Sequence, residues 1–388
     1  MSPRPAFSAP RPLLALTGSV VLAASTLLGA PGATAGSSGS GSGDPGSPTV
    51  VATGLDAPRL LSFGPRGALY VAEAGSGGTA PCAVGPTGEQ CFGRTGAVTR
   101  IRHGSQRRVL TDLPSVAGAG GAEPLGPADV HVTGHGRYVL SLGMGLDAEA
   151  RASLGPQART LGTWVTGRLG SDRTRVVADL AAFEAAENPD GSPGHDSDPT
   201  GLVRTRHGFV GTDSGGNTLV AARLRHRHGD GDRHAHRAGV RAVTVFPTVD
   251  GMQAVPTSVA VGPDGALYVS QLTGFPFPAN GASIFRVVPG RAPTVYASGL
   301  TNVTDLAWSH GRLYAVQIAS EGLLSPTGFP APVGSLVRVH RGDNATEDTV
   351  AGGLPSPYGV AIRHGAAYVS TCTLCGAGQG EVIRIPLG

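Results

Sequence analysis

Six polar residues recur at one position of a repeating pattern. Glu73, Ser141, Asp213, Gln271, Gln317 and Thr371 each stand three residues beyond the centre of a strand-like run. On the rim of a ring-shaped scaffold, such side chains can converge on one ligand at the mouth of a channel. Carboxylate and amide oxygens suit a hard cation such as Ca²⁺. Glu73 and Asp213 are the only carboxylates of the set, so they are the expected metal ligands. Asp213 also opens the loop Asp213-Ser-Gly-Gly-Asn217, which adds the Asn217 amide, and Asp305 offers a further oxygen. An acidic run from Asn188-Pro-Asp190 to Asp196-Ser-Asp198 leads into the same unit. The plainer reading is that Asp, Asn and Gly form turns and that strands often end on polar residues. Composition leaves both readings open.

The four cysteines fall into two close pairs, Cys82/Cys91 and Cys372/Cys375. Three connectivities are possible. In an exported chain disulfides are the default, and pairing within each close pair is expected. Cys372-Thr-Leu-Cys375 has the spacing of redox and zinc motifs, but no second zinc half-site follows and no thioredoxin-like pattern surrounds it. A His- and Arg-rich stretch at 225–237 reads as a solvated low-complexity loop on the opposite face. No nucleophile elbow, Walker loop or dinucleotide fingerprint in its proper context is present.

The elements that position these residues emerge from an internal repeat. Apolar runs open near Pro58, Pro127, Pro199, Pro256, Asn302 and Pro357. Runs centred on Tyr70, Tyr138, Val210, Tyr268, Tyr314 and Tyr368 follow each of them 11 or 12 residues later. A third strand reads Gly96–Ile101, Ser283–Val287, Gly334–Val339 and Gly380–Ile385, with weaker copies around Trp164 and Leu219. Six four-stranded units predict an all-β, six-bladed β-propeller. Thr49-Val-Val-Ala-Thr-Gly-Leu55 repeats the text of the outermost strands Thr294–Leu300 and Thr349–Leu354, yet precedes the first complete unit. The last unit stops without such a strand, so the N-terminal strand is expected to complete the C-terminal blade and close the ring. The long insertions concentrate between second and third strands, which places one elaborated face at the channel mouth.

Composition agrees with this reading. Of 388 residues, 61 are Gly and 31 are Pro, which implies many tight turns. All 30 basic residues are Arg, and the net charge of +3 is scattered without a basic stripe. No nucleic-acid partner is indicated. The N-terminus has basic residues at Arg4 and Arg11, an apolar stretch from Leu13 to Ala30, and the small residues Ala33-Thr34-Ala35. Residues 1–35 therefore read as a bacterial signal peptide of the general export route, with no stable membrane anchor. Residues 36–48 read as a flexible Gly/Ser linker, and 49–388 as a single propeller domain, expected to be a secreted monomer.

Gly54-Leu-Asp-Ala-Pro-Arg59, Leu69–Gly75, the run from Cys82 through Cys91 to Ile101, Asn188-Pro-Asp-Gly191, Asp213–Asn217 and Val243–Pro247 together resemble the ScyD/ScyE family. The resemblance extends over residues 48–388. It implies an exported propeller of the NHL or gluconolactonase type, and a compartment more than a reaction. Asp213 and Asn217 match the family's loop, whereas Thr212, Ser214 and the His-rich insertion depart from it. Two functions are then expected. One is a ligand- or partner-binding scaffold that holds a small molecule, a glycan or an extracellular protein on the elaborated face. The alternative is a Ca²⁺-dependent hydrolase or lyase resembling gluconolactonases.

Overall fold

A computed structural model of the protein describes residues 47–86, 88–171, 173–223, 239–248, 251–342 and 347–388. The expected leader at 1–35, residues 36–46 of the linker and the His-rich stretch at 225–237 lie outside the described residues.

The strands assemble into six antiparallel sheets arranged as a six-bladed β-propeller. From the axis outward, blade one comprises Pro58–Phe63, Leu69–Glu73, Gly88–Arg102 and Ser105–Ala117; its third strand also pairs with Cys82–Gly85. Blade two comprises Pro127–Val132, Arg137–Leu142, Thr163–Arg168 and Thr174–Asp179. Blade three comprises Pro199–Thr205, Gly208–Asp213, Thr218–Ala222 and Val240–Val245. Blade four comprises Pro256–Val261, Leu267–Gln271, Ala282–Val287 and Thr294–Leu300. Blade five comprises Val303–Ser309, Arg312–Gln317, Val333–Val339 and Glu347–Pro355. Blade six takes Val360–Arg363, Ala366–Thr371 and Gly380–Pro386, and its outermost strand is Thr49–Leu55.

That last pairing closes the ring, with Thr49 opposite Arg384, Val50 opposite Ile383 and Leu55 opposite Gly380. Leu55 and Ala52 are thereby buried with Leu61, Leu69, Val71 and Val382. The edge that would otherwise template aggregation is paired internally.

Second strands carry near-continuous apolar runs because neighbouring blades cover both of their faces. All of Leu69–Glu73 and all of Leu267–Gln271 are buried. The core is accordingly a set of wedges between blades. Tyr70, Ala72 and Val98 of blade one meet Val130, Val132, Tyr138 and Leu140 of blade two.

The innermost strands carry a bulge near their start, with register shifts between Pro58 and Leu61, Pro199 and Leu202, and Pro256 and Val259. A bulge leaves an amide without its ladder partner. Second-strand hydroxyls supply one: Thr212 Oγ1 accepts from Gly201 N at 3.0 Å and Ser270 Oγ from Ser258 N at 2.9 Å. Ser370 Oγ accepts from Gly359 N at 2.8 Å. Gly201 and Gly359 are where inner strands of adjacent blades touch. A Cβ on Gly201 would lie 2.7 Å from Ser258 Cα, and one on Gly359 would lie 2.7 Å from Arg59 O.

Candidate functional site

The polar residues at the ends of the second strands are all buried, none more than 6% exposed. Glu73 lies on the same strand face as Leu69 and Val71, which packs toward blade six. Its Oε2 accepts from Asp56 N at 2.9 Å and its Oε1 from Thr99 Oγ1 at 2.6 Å. Arg108 of the outermost strand donates to both oxygens and also bonds Asp56. Glu73 thus ties the start of blade one to its outer edge.

Asp213 accepts from Ser197 Oγ and Asp198 N at 2.7 Å each, and from Gly216 N at 3.3 Å. Burial pushes its pKa up to about 7. Asn217 donates through Nδ2 to Asp190 and accepts from Val255 N through Oδ1. Gln271 accepts from Ser283 N, whereas Gln317 accepts from Thr301 N and donates to Ser335 and Glu347. Among the described residues Ser141 Oγ has no partner, and Thr371 ends its strand opposite Glu381.

Several members therefore fasten inter-blade connections to the blade that follows. The structure does not bring Glu73 and Asp213 together: one is bonded within blades one and six, the other within the connection from blade two to blade three. With a guanidinium on both its oxygens, Glu73 does not fit a shared Ca²⁺ site.

On the axis a second ring of polar groups appears. Asp129 Oδ2 accepts from Leu202 N of the next blade at 2.8 Å. Asp305 accepts from Ser258 Oγ, Leu306 N and, in the next blade, Val360 N at 2.7 Å. These side chains lock inner strands to one another. Burial pushes the Asp305 pKa up to about 7, with Asp129 adding a like charge. Thr257 Oγ1 and Thr304 Oγ1 donate across blades to Val303 O and Tyr358 O.

Toward the elaborated face, buried side chains cluster around Arg59 and Tyr358. Arg59 stacks on the Tyr358 ring at 4.6 Å and donates to Pro124 O. Leu60, Ile318, Ala319, Leu323 and Tyr358 form an apolar plug, with Leu272, Phe277 and Leu374 against it. Two of the loops above it share a text that sequence reading passed over, Thr273-Gly-Phe-Pro276 and Thr327-Gly-Phe-Pro330. These loops touch, since a Cβ on Gly322 would lie 3.1 Å from Phe277 O. Each exposes its first phenylalanine, Phe275 at 75% and Phe329 at 38%, and Leu324 beside them is 52% exposed.

The disulfides are Cys82–Cys91 and Cys372–Cys375, and no described cysteine is free. The first ties the second-to-third-strand connection of blade one to its third strand, and the second lies in the corresponding connection of blade six. No helix among the described residues is long and apolar enough to cross a membrane.

No protein-family model matches the chain, and no curated protein matches it. Solved structures do. A glucose dehydrogenase is 14% identical, with 88% of this chain and 100% of that one covered and a TM-score of 0.51. A putative gluconolactonase is 10% identical, with 89% and 94% covered and a TM-score of 0.49. Virginiamycin B lyase from Staphylococcus aureus is 10% identical, with 88% and 99% covered and a TM-score of 0.45. At these identities the likeness shows the propeller fold alone.

Proposed function

We propose that this chain is an exported binding propeller of the ScyD/ScyE type, whose elaborated face docks an extracellular partner through an apolar rim. The observation that carries the reading is the exposure of Phe275, Leu324 and Phe329 on two touching loops above an apolar plug. Apolar side chains grouped on an elaborated face contribute binding surface without folding benefit, and aromatic anchors dominate such interfaces. The axis argues the same way. Asp129 and Asp305 are engaged by backbone amides of neighbouring blades, and buried Leu60, Tyr358 and Leu323 cluster toward the mouth. A lactonase-type centre needs several free oxygens meeting in an open well. Two disulfides and the leader-like text of residues 1–35 support export.

The test is retention of extracellular material from the producing bacterium on the immobilised chain. Wild type retains a defined species, and Phe275→Ser combined with Phe329→Ser lowers its affinity by about tenfold or more, as loss of hot-spot aromatics does. Phe275 is 75% exposed, so Phe275→Ser alone leaves the melting temperature unchanged and serves as the control for folding. Equal retention by the double variant would move the binding surface elsewhere.

A further inference from the structure

The helix Leu180–Glu187, between blades two and three, buries Leu180, Ala181 and Glu184. The first two belong on an inward face. Glu184 stands on the same face, where helical spacing calls for an apolar residue. It is 1% exposed, and among the described residues neither of its carboxyl oxygens has a hydrogen-bond partner. Leaving a buried carboxylate unpaired is costly. Asn188, which ends the helix in a left-handed conformation, also has a buried, unpartnered Oδ1; its Nδ2 is held by Ser192 O at 2.9 Å.

The surroundings of Glu184 are acidic. Asp190, Asp196 and Asp213 each act on it electrostatically, and burial together with these charges raises its pKa to about 8. Among the described residues, none of the four carboxylates takes part in a salt bridge. A glycine lies between two of them. A Cβ on Gly216 would come within 2.4 Å of Glu184 Oε2 and 3.6 Å of the Asp213 carboxyl carbon. On the far side Asp190 accepts from Asn217 Nδ2 at 2.8 Å, which fixes it to the same loop.

We propose that Glu184, Asn188, Asp190 and Asp213, with Asp196 beside them, form a site for a hard divalent cation, Ca²⁺ above others. The donors are all carboxylate or amide oxygens, the set that Ca²⁺ takes at about 2.4 Å with six to eight ligands. No three of these carboxylates bring oxygens within 4.8 Å of one another. At most two of them therefore ligate one ion directly, with water bridging to the others and completing a shell whose irregular geometry suits Ca²⁺ better than Mg²⁺. The ion would pin the connection between blades two and three to the Asp213–Asn217 loop, and through Asn217 Oδ1 to Val255 at the start of blade four. This site is independent of the apolar rim and stands or falls separately from it.

The test is calorimetric melting of the full chain after removal of metals with a chelator, then with millimolar CaCl₂ or MgCl₂. Ca²⁺ raises the wild-type melting temperature by roughly 5 °C or more, as a ligand specific to the native state does. Glu184→Gln abolishes that rise, and its metal-free form melts no lower than metal-free wild type because the carboxyl it replaces makes no hydrogen bond there. Asp264→Asn, at an exposed ion pair in blade four, keeps the rise. Should Glu184→Gln fail to fold, Asp190→Asn carries the test through a Ca²⁺ dissociation constant raised about tenfold or more. An unresponsive wild type, a rise that survives both substitutions, or a rise with Mg²⁺ but not Ca²⁺ would overturn the assignment.

Discussion

Asp305 lies on the propeller axis with Ser258 Oγ, Leu306 N and Val360 N all directed at its carboxyl group. Asp129 acts on it as a like charge, and His131 and Tyr358 also interact with it electrostatically. Its folded pKa is pushed up to about 7, while an unfolded aspartate titrates near about 3.9. The native state holds that proton more tightly than the unfolded state. The resulting stability is fully present below about pH 4 and is lost as pH rises through about 7. Melting temperatures measured between those limits should fall with rising pH in wild type and fall less in Asp305→Asn. Parallel profiles would show that Asp305 does not titrate in this window. A second residue-scale contrast separates framework from surface charge. Arg108→Ala strands the buried Glu73 and should cost about 2–3 kcal/mol in urea unfolding. Arg286→Ala breaks an ion pair exposed on both sides, and should leave the unfolding midpoint where it was. The six polar positions were legible as a set from Glu73 to Thr371, but their direction was not. Period-two alternation says which sheet face a side chain takes. In a propeller both faces of a second strand meet neighbouring blades, so the same polar residue enters an inter-blade wedge.

Strands were the most legible elements because each is a short local text repeated six times. The bulges were not legible, since they appear only as register shifts in the assembled sheets, such as that between Pro199 and Leu202 around Gly201. Blade six illustrates the difference. Its inner strand, expected from Pro357, spans only Val360–Arg363, although Tyr358 N still donates to Ser370 O. The hairpin from Cys82 to Cys91 and the helix Leu180–Glu187 lie in insertions found in one unit each, where no repeat guides the eye. Glu184 was hidden for the same reason, and a charged residue on the inward stripe of that helix was the signal available. Closure by Thr49–Leu55 was legible because its text matches other outer strands, and it yields an element-scale prediction. Deleting 49–55 removes the burial of Ala52 and Leu55 and one whole ladder, at a cost of about 3–6 kcal/mol. Deleting 36–46 removes only text that reads as linker and should leave unfolding unchanged. Equal effects would contradict the closure.

At the scale of the whole molecule, Glu73, Asp213 and Asp305, which sequence alone marks for chemistry, take part in holding the ring together, as does Asp129, and the apolar rim is the surface we propose for binding. Glu73 fastens blade one, Asp213 fastens the entry to blade three, and Asp129 and Asp305 lock the inner strands. The two disulfides hold connections of blades one and six, which the closing strand makes neighbours. A lactone-polarising metal on the axis would need Asp129 and Asp305 freed from the backbone amides of neighbouring blades that hold them. The most direct measurement is therefore hydrolysis of glucono-1,5-lactone followed by pH-stat, with millimolar Ca²⁺ and after chelation. Wild type, Asp129→Asn and Asp305→Asn should all match the buffer blank under both conditions. Hydrolysis by wild type that requires Ca²⁺ and disappears in either variant would contradict the account, because those carboxylates would then be doing chemistry on the axis.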